Sequence, residues 1–397
     1  MGKRQLRHFI SMHWQLLALY SVLAVALATL LGWQLGTLTG GYAAVEQQTF
    51  QASNSLEYIL HHPVNAPFAL LTRGLLALGD PALLFTRVAA VLLGLGTLAA
   101  FFFLVQHWHG LRSATIGTLL FGTSAWFLHT ARLGTPDVLL FGLLALIACG
   151  LWLRNTQSPA ALLACVALAS GLLYVPGMVW FVVLGVLWQW RTLDRIFKEH
   201  LLAASVGGVL LLAIIAPLGW GIYQSPDIAK VLVGLPAEGW PAPLDIVRNA
   251  AQVPFNLFFR GPAAPEQWLG RLPVLDAFCL AMFGLGIYLY LRYFKLRRSV
   301  MLWSVLIGGI AVLSLGGAVS LSLVVPFMYI VIAAGIGLLL DRWYMVFPRN
   351  IIAQSVGTGL AVVAIAVTTW YSTQHYFVAW PNAPATRAAF SISDTMR

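Results

Sequence analysis

Two carboxylates, Glu46 and Asp137, stand out in a 397-residue chain in which only 9% of the residues are charged and 60% are hydrophobic. Glu46 lies in GGYAAVEQQTF and is the first acidic residue of the chain. Asp137 lies in HTARLGTPDVLLF, where Thr135 and Pro136 are typical of the start of a helix. A carboxylate can accept a proton from a reacting group or bind a divalent cation. The simpler alternative for Asp137 is an acid that stabilises its helix through the helix dipole, by about 0.3–1 kcal/mol.

Paired histidines lie between the two acids, in HHPVNAP. The two prolines favour an extended or turn backbone around them. A protonated imidazole binds phosphate and a neutral one binds a divalent ion, so His62 and Asp137 are candidate metal ligands. Paired histidines in a loop are also common as solvated residues without a function, and that interpretation stays open.

Long apolar runs predict an all-α polytopic membrane protein, because the mean hydropathy is +0.83. A helix needs roughly 20 apolar residues to cross a bilayer, and its backbone must satisfy its own hydrogen bonds there. On this template we predict about eleven transmembrane helices. They cover 13–35, 82–106, 112–130, 136–153, 158–174, 176–190, 201–222, 277–292, 299–318, 321–340 and 351–371.

The distribution of charge predicts that the amino terminus is cytoplasmic and the carboxyl terminus is outside. The formal net charge is +10, which in a soluble protein would suggest nucleic acid, but here it is explained by topology. Eleven spans place 14 of the 23 Lys and Arg residues on the inner side, as the positive-inside rule requires. Most acidic residues then lie outside, which favours an outward-facing site. The first apolar run follows Lys3, Arg4 and Arg7 and could instead be a signal peptide, which would not change this sidedness.

Two outer segments, 36–81 and 223–276, are longer than simple connections. FALLTRGLLAL in the first and LDIVRNAAQVPFNLFF in the second, after span 7, predict amphipathic helices lying along the membrane surface. The chain therefore divides into a transmembrane module over 1–222, the outer loop 223–276, and peripheral helices with a short outer tail over 277–397. No nucleic-acid partner is expected. The three cysteines are expected to be small buried hydrophobes without a disulfide framework: Cys149, Cys165 and Cys279.

The order of these motifs resembles the GT-C membrane glycosyltransferases. An acid in a long first outer loop, then HPVNAPFALL, then ARLGTPDVLLF at the start of the fourth span, is similar to the protein mannosyltransferase and aminoarabinose transferase group over roughly residues 36–222. Members of this group use polyprenyl-phosphate sugars. The resemblance implies a multi-pass enzyme of the cell membrane with its site facing the periplasm or the extracellular space.

The resemblance also implies roles for individual residues. Glu46 would be the general base, and Asp137 would support the site and help to bind a divalent metal ion. The Pro-rich element places His62 and Asn65 near the donor phosphate. Many relatives carry Asp-Glu where this chain has Val45-Glu46. The departing phosphate needs cations, and the candidates are Arg132, Arg260 and Arg271.

The expected reaction moves a sugar from a polyprenyl-phosphate donor to an acceptor hydroxyl on a lipid, a glycan or a protein. Two other functions remain open. A transporter or flippase of lipid-linked sugars would share the hydropathy, although it should carry several charges at mid-span. A GT-C-like scaffold without catalytic activity is compatible with Val45-Glu46.

Overall fold

The computed structural model describes residues 18, 20–79, 82–268 and 270–392, and within these residues the chain is helical with no strand. The all-α prediction is confirmed. Lys3, Arg4 and Arg7, and the predicted signal-peptide start, lie outside the described residues. Up to residue 132 the helices are α1 (Tyr20–Gly32), α2 (Ala44–Asn54), α3 (Leu56–His61), α4 (Ala66–Leu76), α5 (Leu84–Thr123) and α6 (Ala125–Arg132).

The second part of the chain continues the bundle. A 3-10 turn, Pro136–Phe141, leads directly into α7 (Gly142–Thr156). The next helices are α8 (Pro159–Leu172), α9 (Met178–Glu199), α10 (Leu201–Gln224), α11 (Asp227–Val233) and α12 (Pro243–Phe258). They are followed by α13 (Ala277–Arg292), α14 (Arg297–Ser314), α15 (Val325–Val346), α16 (Ile351–Gln374), α17 (Trp380–Asn382) and α18 (Pro384–Ala389).

Helix α5 is a hairpin of two antiparallel arms rather than one long rod. The rings of Phe101 and Phe121 stack with their centroids 4.8 Å apart. In a continuous helix, two residues that far apart in sequence would be separated by roughly 30 Å. The chain reverses at Gly110, whose φ of 83° is accessible to glycine without strain. The arms, 84–109 and 111–123, correspond to the predicted spans 82–106 and 112–130, although the second arm ends earlier than predicted.

In the described part of the chain, each predicted span overlaps a helix or a helical arm. Among the described residues, six helical segments are long and apolar enough to cross a membrane. The others are shorter or less apolar, as α8 and α13 illustrate. The membrane-spanning character is therefore supported, while the count of eleven and the orientation with the amino terminus inside stay predictions.

The two long segments that were predicted to lie outside contain helices at the predicted places. FALLTRGLLAL lies in α4, and LDIVRNAAQVPFNLFF lies in α12. After α16 the chain packs back on these segments: Trp380 Nε1 donates to the Pro265 carbonyl at 3.3 Å, and Tyr42 and Ile392 form an isolated antiparallel bridge.

Helix α15 forms the centre of the bundle, and every residue from Val325 to Ile336 is buried. It packs closely on α13, because both helices have glycine at the contact. A Cβ on Gly335 would lie 2.0 Å from the Met282 carbonyl oxygen, and one on Gly286 would lie equally close to the Val331 carbonyl oxygen. Small residues allow such backbone approach between membrane helices.

Candidate functional site

A polar cavity of about 550 Å³ lies at the end of the bundle where α6 ends and α7 begins. Its size is in the range of small-molecule sites. Segments from six parts of the chain form its walls, which makes it a tertiary feature that no local pattern specifies. The polar side chains that line it are Asn65, His129, Thr130, Thr135, Asp137, Asn249, Gln252, Asn256, Glu266, Gln267, Ser320 and Ser322.

Asp137 is one of the two carboxylates of the polar cavity. It is half-buried in the first turn of the 3-10 segment that precedes α7, directly after Pro136. The cavity wall also includes Ser322, whose hydroxyl accepts from Trp126 Nε1 at 3.0 Å and lies 3.2 Å from the Thr130 hydroxyl. Asp137 therefore lies in a cavity whose nearby walls are polar and fixed by hydrogen bonds.

Glu266 is the second carboxylate of the polar cavity, and sequence reasoning did not single it out. Its segment is held over the cavity from two sides. His129 Nε2 lies 2.8 Å from the Glu266 carbonyl oxygen, and the Trp268 ring packs against the Trp126 ring in a tilted arrangement with centroids 4.8 Å apart. The only local signal was a Pro-rich outer loop that ends in Glu-Gln-Trp. Its approach to Asp137 depends on packing between distant segments.

Glu46 is fully buried and does not line the polar cavity. Its Oε1 accepts from Arg87 Nε at 2.7 Å and from the Gly134 backbone N–H at 2.9 Å. Its Oε2 accepts from Arg87 Nη2 at 2.8 Å and from the Ala43 backbone N–H at 3.0 Å. Four donors therefore surround this carboxylate. The sequence predicted a shared cavity for Glu46 and Asp137, and the structure instead places only Asp137 in it.

Val45 occupies the cavity-facing position next to Glu46. It is 41% exposed and lines the polar cavity. Consecutive residues on a helix point in directions about 100° apart, so one faces the cavity while the other faces the protein interior. The resemblance aligns Val45 with an acid of many relatives, and the structure gives that position direct access to the cavity.

Two crystal structures of ArnT from Cupriavidus metallidurans share this architecture. The apo form superposes with a TM-score of 0.55 and the form bound to undecaprenyl phosphate with 0.52. Each is 17% identical, and each alignment covers 94% of this chain and 76% of the ArnT chain. The chain has the ArnT fold. No family model matches the sequence, and no curated protein matches it. The predicted GT-C-like architecture is thus confirmed at the level of the fold.

The Pro-rich element HPVNAP, residues 62–67, lies partly at the polar cavity and partly at the protein surface. Asn65 lines the polar cavity and has left-handed backbone angles, φ 59° and ψ 23°, which asparagine tolerates. Its backbone N–H donates to the Tyr174 carbonyl at 2.8 Å. His62 is exposed, packs against Tyr58 with ring centroids 4.4 Å apart, and does not line the cavity.

The three predicted phosphate-binding arginines lie outside the polar cavity. Arg132 is buried behind it, where its guanidinium lies over the rings of Tyr376 and Phe377 and donates to the Trp33 carbonyl. Arg260 and Arg271 are exposed. They lie close together, because the Gly261 N–H donates to the Leu272 carbonyl at 3.0 Å and so closes a loop between them. This loop carries Glu266, which places both arginines at its base.

The described residues do not fit a dedicated metal centre. They contain no group of three or more His, Cys, Asp and Glu side chains that could hold an ion. Asp137 and His62, predicted as metal ligands, are not brought together at the cavity, since only Asp137 lines it. A protein site for a catalytic or structural cation usually supplies several such ligands. We therefore derive no chemical step through a metal ion.

Proposed function

We propose that the chain is a membrane glycosyltransferase that uses a sugar linked to a polyprenyl phosphate, with the polar cavity as its active site. The observation that carries the proposal is the position of Asp137, a carboxylate in a polar cavity at one end of an apolar helical bundle. Two further findings support it: the ArnT fold, and the polyprenyl-phosphate ligand, undecaprenyl phosphate, in one of the ArnT structures. We place this end of the bundle on the outer face of the membrane, on the strength of the positive-inside rule.

In the proposed reaction, Asp137 accepts the proton of the acceptor hydroxyl. The acceptor oxygen forms a bond to the anomeric carbon of the sugar while the bond between that carbon and the phosphate oxygen breaks. The polyprenyl phosphate leaves with the electron pair. One direct displacement inverts the anomeric configuration. General-base assistance contributes typically about 10²–10⁴-fold to a rate.

Arg260 and Arg271 are the proposed partners of the lipid phosphate. Both are exposed at the base of the loop that carries Glu266, so an anionic headgroup can reach them from outside the cavity. Two guanidinium groups suit a phosphate because each donates two parallel hydrogen bonds. Arg132 is a weaker candidate, because it is buried behind the polar cavity and does not line it.

Glu46 acts, in this proposal, as a positioning residue rather than as the base. A carboxylate that already accepts four hydrogen bonds has little capacity left to remove a proton from a substrate. It connects Arg87 to the backbone of Gly134, three residues before Asp137. The ion pair thereby fixes the segment of the backbone that positions Asp137 at the cavity.

The charge of the polar cavity indicates the class of sugar. Asp137 and Glu266 line it, and no Lys or Arg is among its described lining residues. An anionic sugar such as a uronic acid would meet two carboxylates without compensation, which is electrostatically unfavourable. An amino sugar would pair its ammonium group with them. We therefore propose an amino sugar, or else a neutral sugar, as the transferred group.

A GT-C-like scaffold without activity is the second candidate function, and Val45 is the observation that favours it. The side chain at this cavity-facing position cannot accept a proton. In that case the cavity would bind the lipid-linked sugar without transferring it.

The test is a turnover assay on the full chain reconstituted in lipid nanodiscs. The probe is undecaprenyl-phosphate-linked aminoarabinose, supplied with a crude envelope extract as the source of acceptors. We expect time-dependent release of undecaprenyl phosphate and labelled product. Binding of the probe without release would support the scaffold. In a parallel reconstitution of the chain into liposomes, movement of intact probe across the bilayer would support a flippase. Either result would contradict the proposed transferase.

A further inference from the structure

A second charged cavity lies at the opposite end of the bundle from Asp137. It measures about 320 Å³, and three arginines line it: Arg154, Arg297 and Arg298. We call it the basic pocket. The helical segment Pro136–Thr156 connects the two ends, with Asp137 at its start and Arg154 near its other end. At a rise of about 1.5 Å per residue, the two sites are roughly 25 Å apart, close to the thickness of the bilayer core.

The arginines of the basic pocket have no carboxylate partner in the described part of the chain. The ion pairs there join Arg87 to Glu46, Lys198 to Asp194, and Lys230 to Asp227. No acidic residue lines the pocket. Three like charges that converge without a counter-charge repel one another, and a bound anion would remove that repulsion.

Two tryptophans hold two of these arginines in place. Arg297 Nη2 donates to the Trp188 carbonyl at 3.3 Å, and its guanidinium lies over the Trp188 ring, 5.3 Å from the centroid. Arg298 donates to the Trp108 carbonyl. Tryptophan is typical of the membrane–water interface, so the guanidinium groups are fixed near the depth of lipid headgroups.

An apolar cavity of about 350 Å³ continues from the basic pocket into the bundle. The two share three lining residues: Trp188, Gln189 and Met301. Helices α7, α8, α9, α10 and α14 surround the apolar cavity, and its lining is almost entirely aliphatic and aromatic. Three guanidinium groups therefore lie at the mouth of a space that suits a hydrocarbon chain.

We propose that the basic pocket and the apolar cavity together bind one anionic phospholipid. Its phosphate contacts Arg154, Arg297 and Arg298, and one acyl chain occupies the apolar cavity. The charge of the pocket selects an anionic headgroup, and the adjoining cavity selects a lipid over a soluble phosphate. This site is separate from the polar cavity and does not depend on the proposed transferase activity.

The headgroup is tested by native mass spectrometry of the full chain with phosphatidylglycerol and phosphatidylcholine in equal amounts. We expect one retained phosphatidylglycerol. The triple variant R154Q/R297Q/R298Q should weaken its apparent affinity by about tenfold or more, because each basic side chain near an anionic surface adds to the attraction. The matched control is R195Q/R292Q/R349Q, which removes three exposed arginines outside the pocket. It should retain the lipid. Equal loss of phosphatidylglycerol binding in both triple variants would overturn the proposal, and so would the absence of any preference for phosphatidylglycerol over phosphatidylcholine.

The acyl chain is tested by filling the apolar cavity. Gly185 lines it, and a Cβ there would meet no atom within 4 Å. Gly185→Leu should weaken binding of long-chain phosphatidylglycerol severalfold and leave binding of glycerol phosphate unchanged. Gly208→Leu, at an exposed glycine of α10 with equally open surroundings, is the control. Identical lipid binding by the two variants would contradict the placement of the acyl chain in the apolar cavity. Melting temperatures of both variants check that they fold.

Discussion

At the scale of single residues, the two acids singled out by sequence differ in what surrounds them. Glu46 is enclosed by an arginine and two backbone N–H groups, whereas Asp137 borders a cavity. The sequence identified both because an acid is rare in an apolar chain. It could not distinguish them, since Gly134 reaches Glu46 only through tertiary folding. Glu266 was missed for the same reason.

The first prediction concerns the buried ion pair. Glu46→Gln removes the charge that compensates Arg87, and both side chains are almost fully buried. Loss of one partner of such a pair typically costs about 3–5 kcal/mol, because the other charge stays buried and unpaired. We expect the free energy of unfolding in detergent to fall by this order. Denaturant titration followed by tryptophan fluorescence measures it.

The matched control removes both charges. In Glu46→Leu/Arg87→Met no charge is left unpaired, so this double variant should be more stable than Glu46→Gln alone. If Glu46→Gln instead has wild-type stability, the ion pair is not the structural contact inferred from its four hydrogen bonds.

At the scale of elements, glycine positions determine how the site is assembled. The hairpin of α5 reverses at Gly110, and Gly134 brings the backbone before Asp137 against Thr86 and Glu46. The sequence predicted the two arms of α5 as separate spans, 82–106 and 112–130. The role of Gly134 could not be predicted, because its neighbours come from the first outer loop and from α5.

The second prediction is that Gly134→Ala destabilises the site. A Cβ there would lie 2.1 Å from the Thr86 hydroxyl oxygen and 3.1 Å from Glu46 Oε1. Forcing extra atoms into packed space costs typically about 1–3 kcal/mol. We expect a lower melting temperature and lower turnover, measured on the same preparation. Gly96→Ala is the control, since a Cβ on Gly96 meets nothing within 4 Å. A melting temperature equal to that of the control would show that Gly134 is not tightly packed.

At the scale of the whole molecule, composition and hydropathy were sufficient to predict an all-α membrane bundle and the positions of its long apolar helices, but not its short helices. The order of motifs was sufficient to suggest the GT-C architecture, which the ArnT fold confirms. The cavities were not predictable, because six separated segments form the polar cavity and five helices form the apolar one. A long apolar helix can be recognised from its own sequence, whereas a cavity depends on where the packing of distant segments leaves a gap.

The third prediction concerns sidedness, which follows from the two ends of the bundle. Basic side chains gather at the end that holds the basic pocket, so the polar cavity should face outward. A single cysteine introduced at exposed Leu78, in the segment 36–81 that is predicted to lie outside, should react with a membrane-impermeant maleimide in intact cells. One introduced at exposed Arg195 should react only after the cells are permeabilised. The native cysteines are first replaced by serine. The reverse labelling pattern would place the polar cavity on the cytoplasmic side.

The central claim, that Asp137 is the base of a sugar transfer from a polyprenyl phosphate, is tested most directly by single-turnover release of undecaprenyl phosphate from undecaprenyl-phosphate-linked aminoarabinose. Asp137→Asn preserves the shape of the side chain and removes its basicity. The account predicts release slowed by about a hundredfold or more, with binding of the lipid unchanged. Wild-type release by Asp137→Asn, together with complete loss in a stably folded Glu46→Gln, would contradict it and assign the base to Glu46.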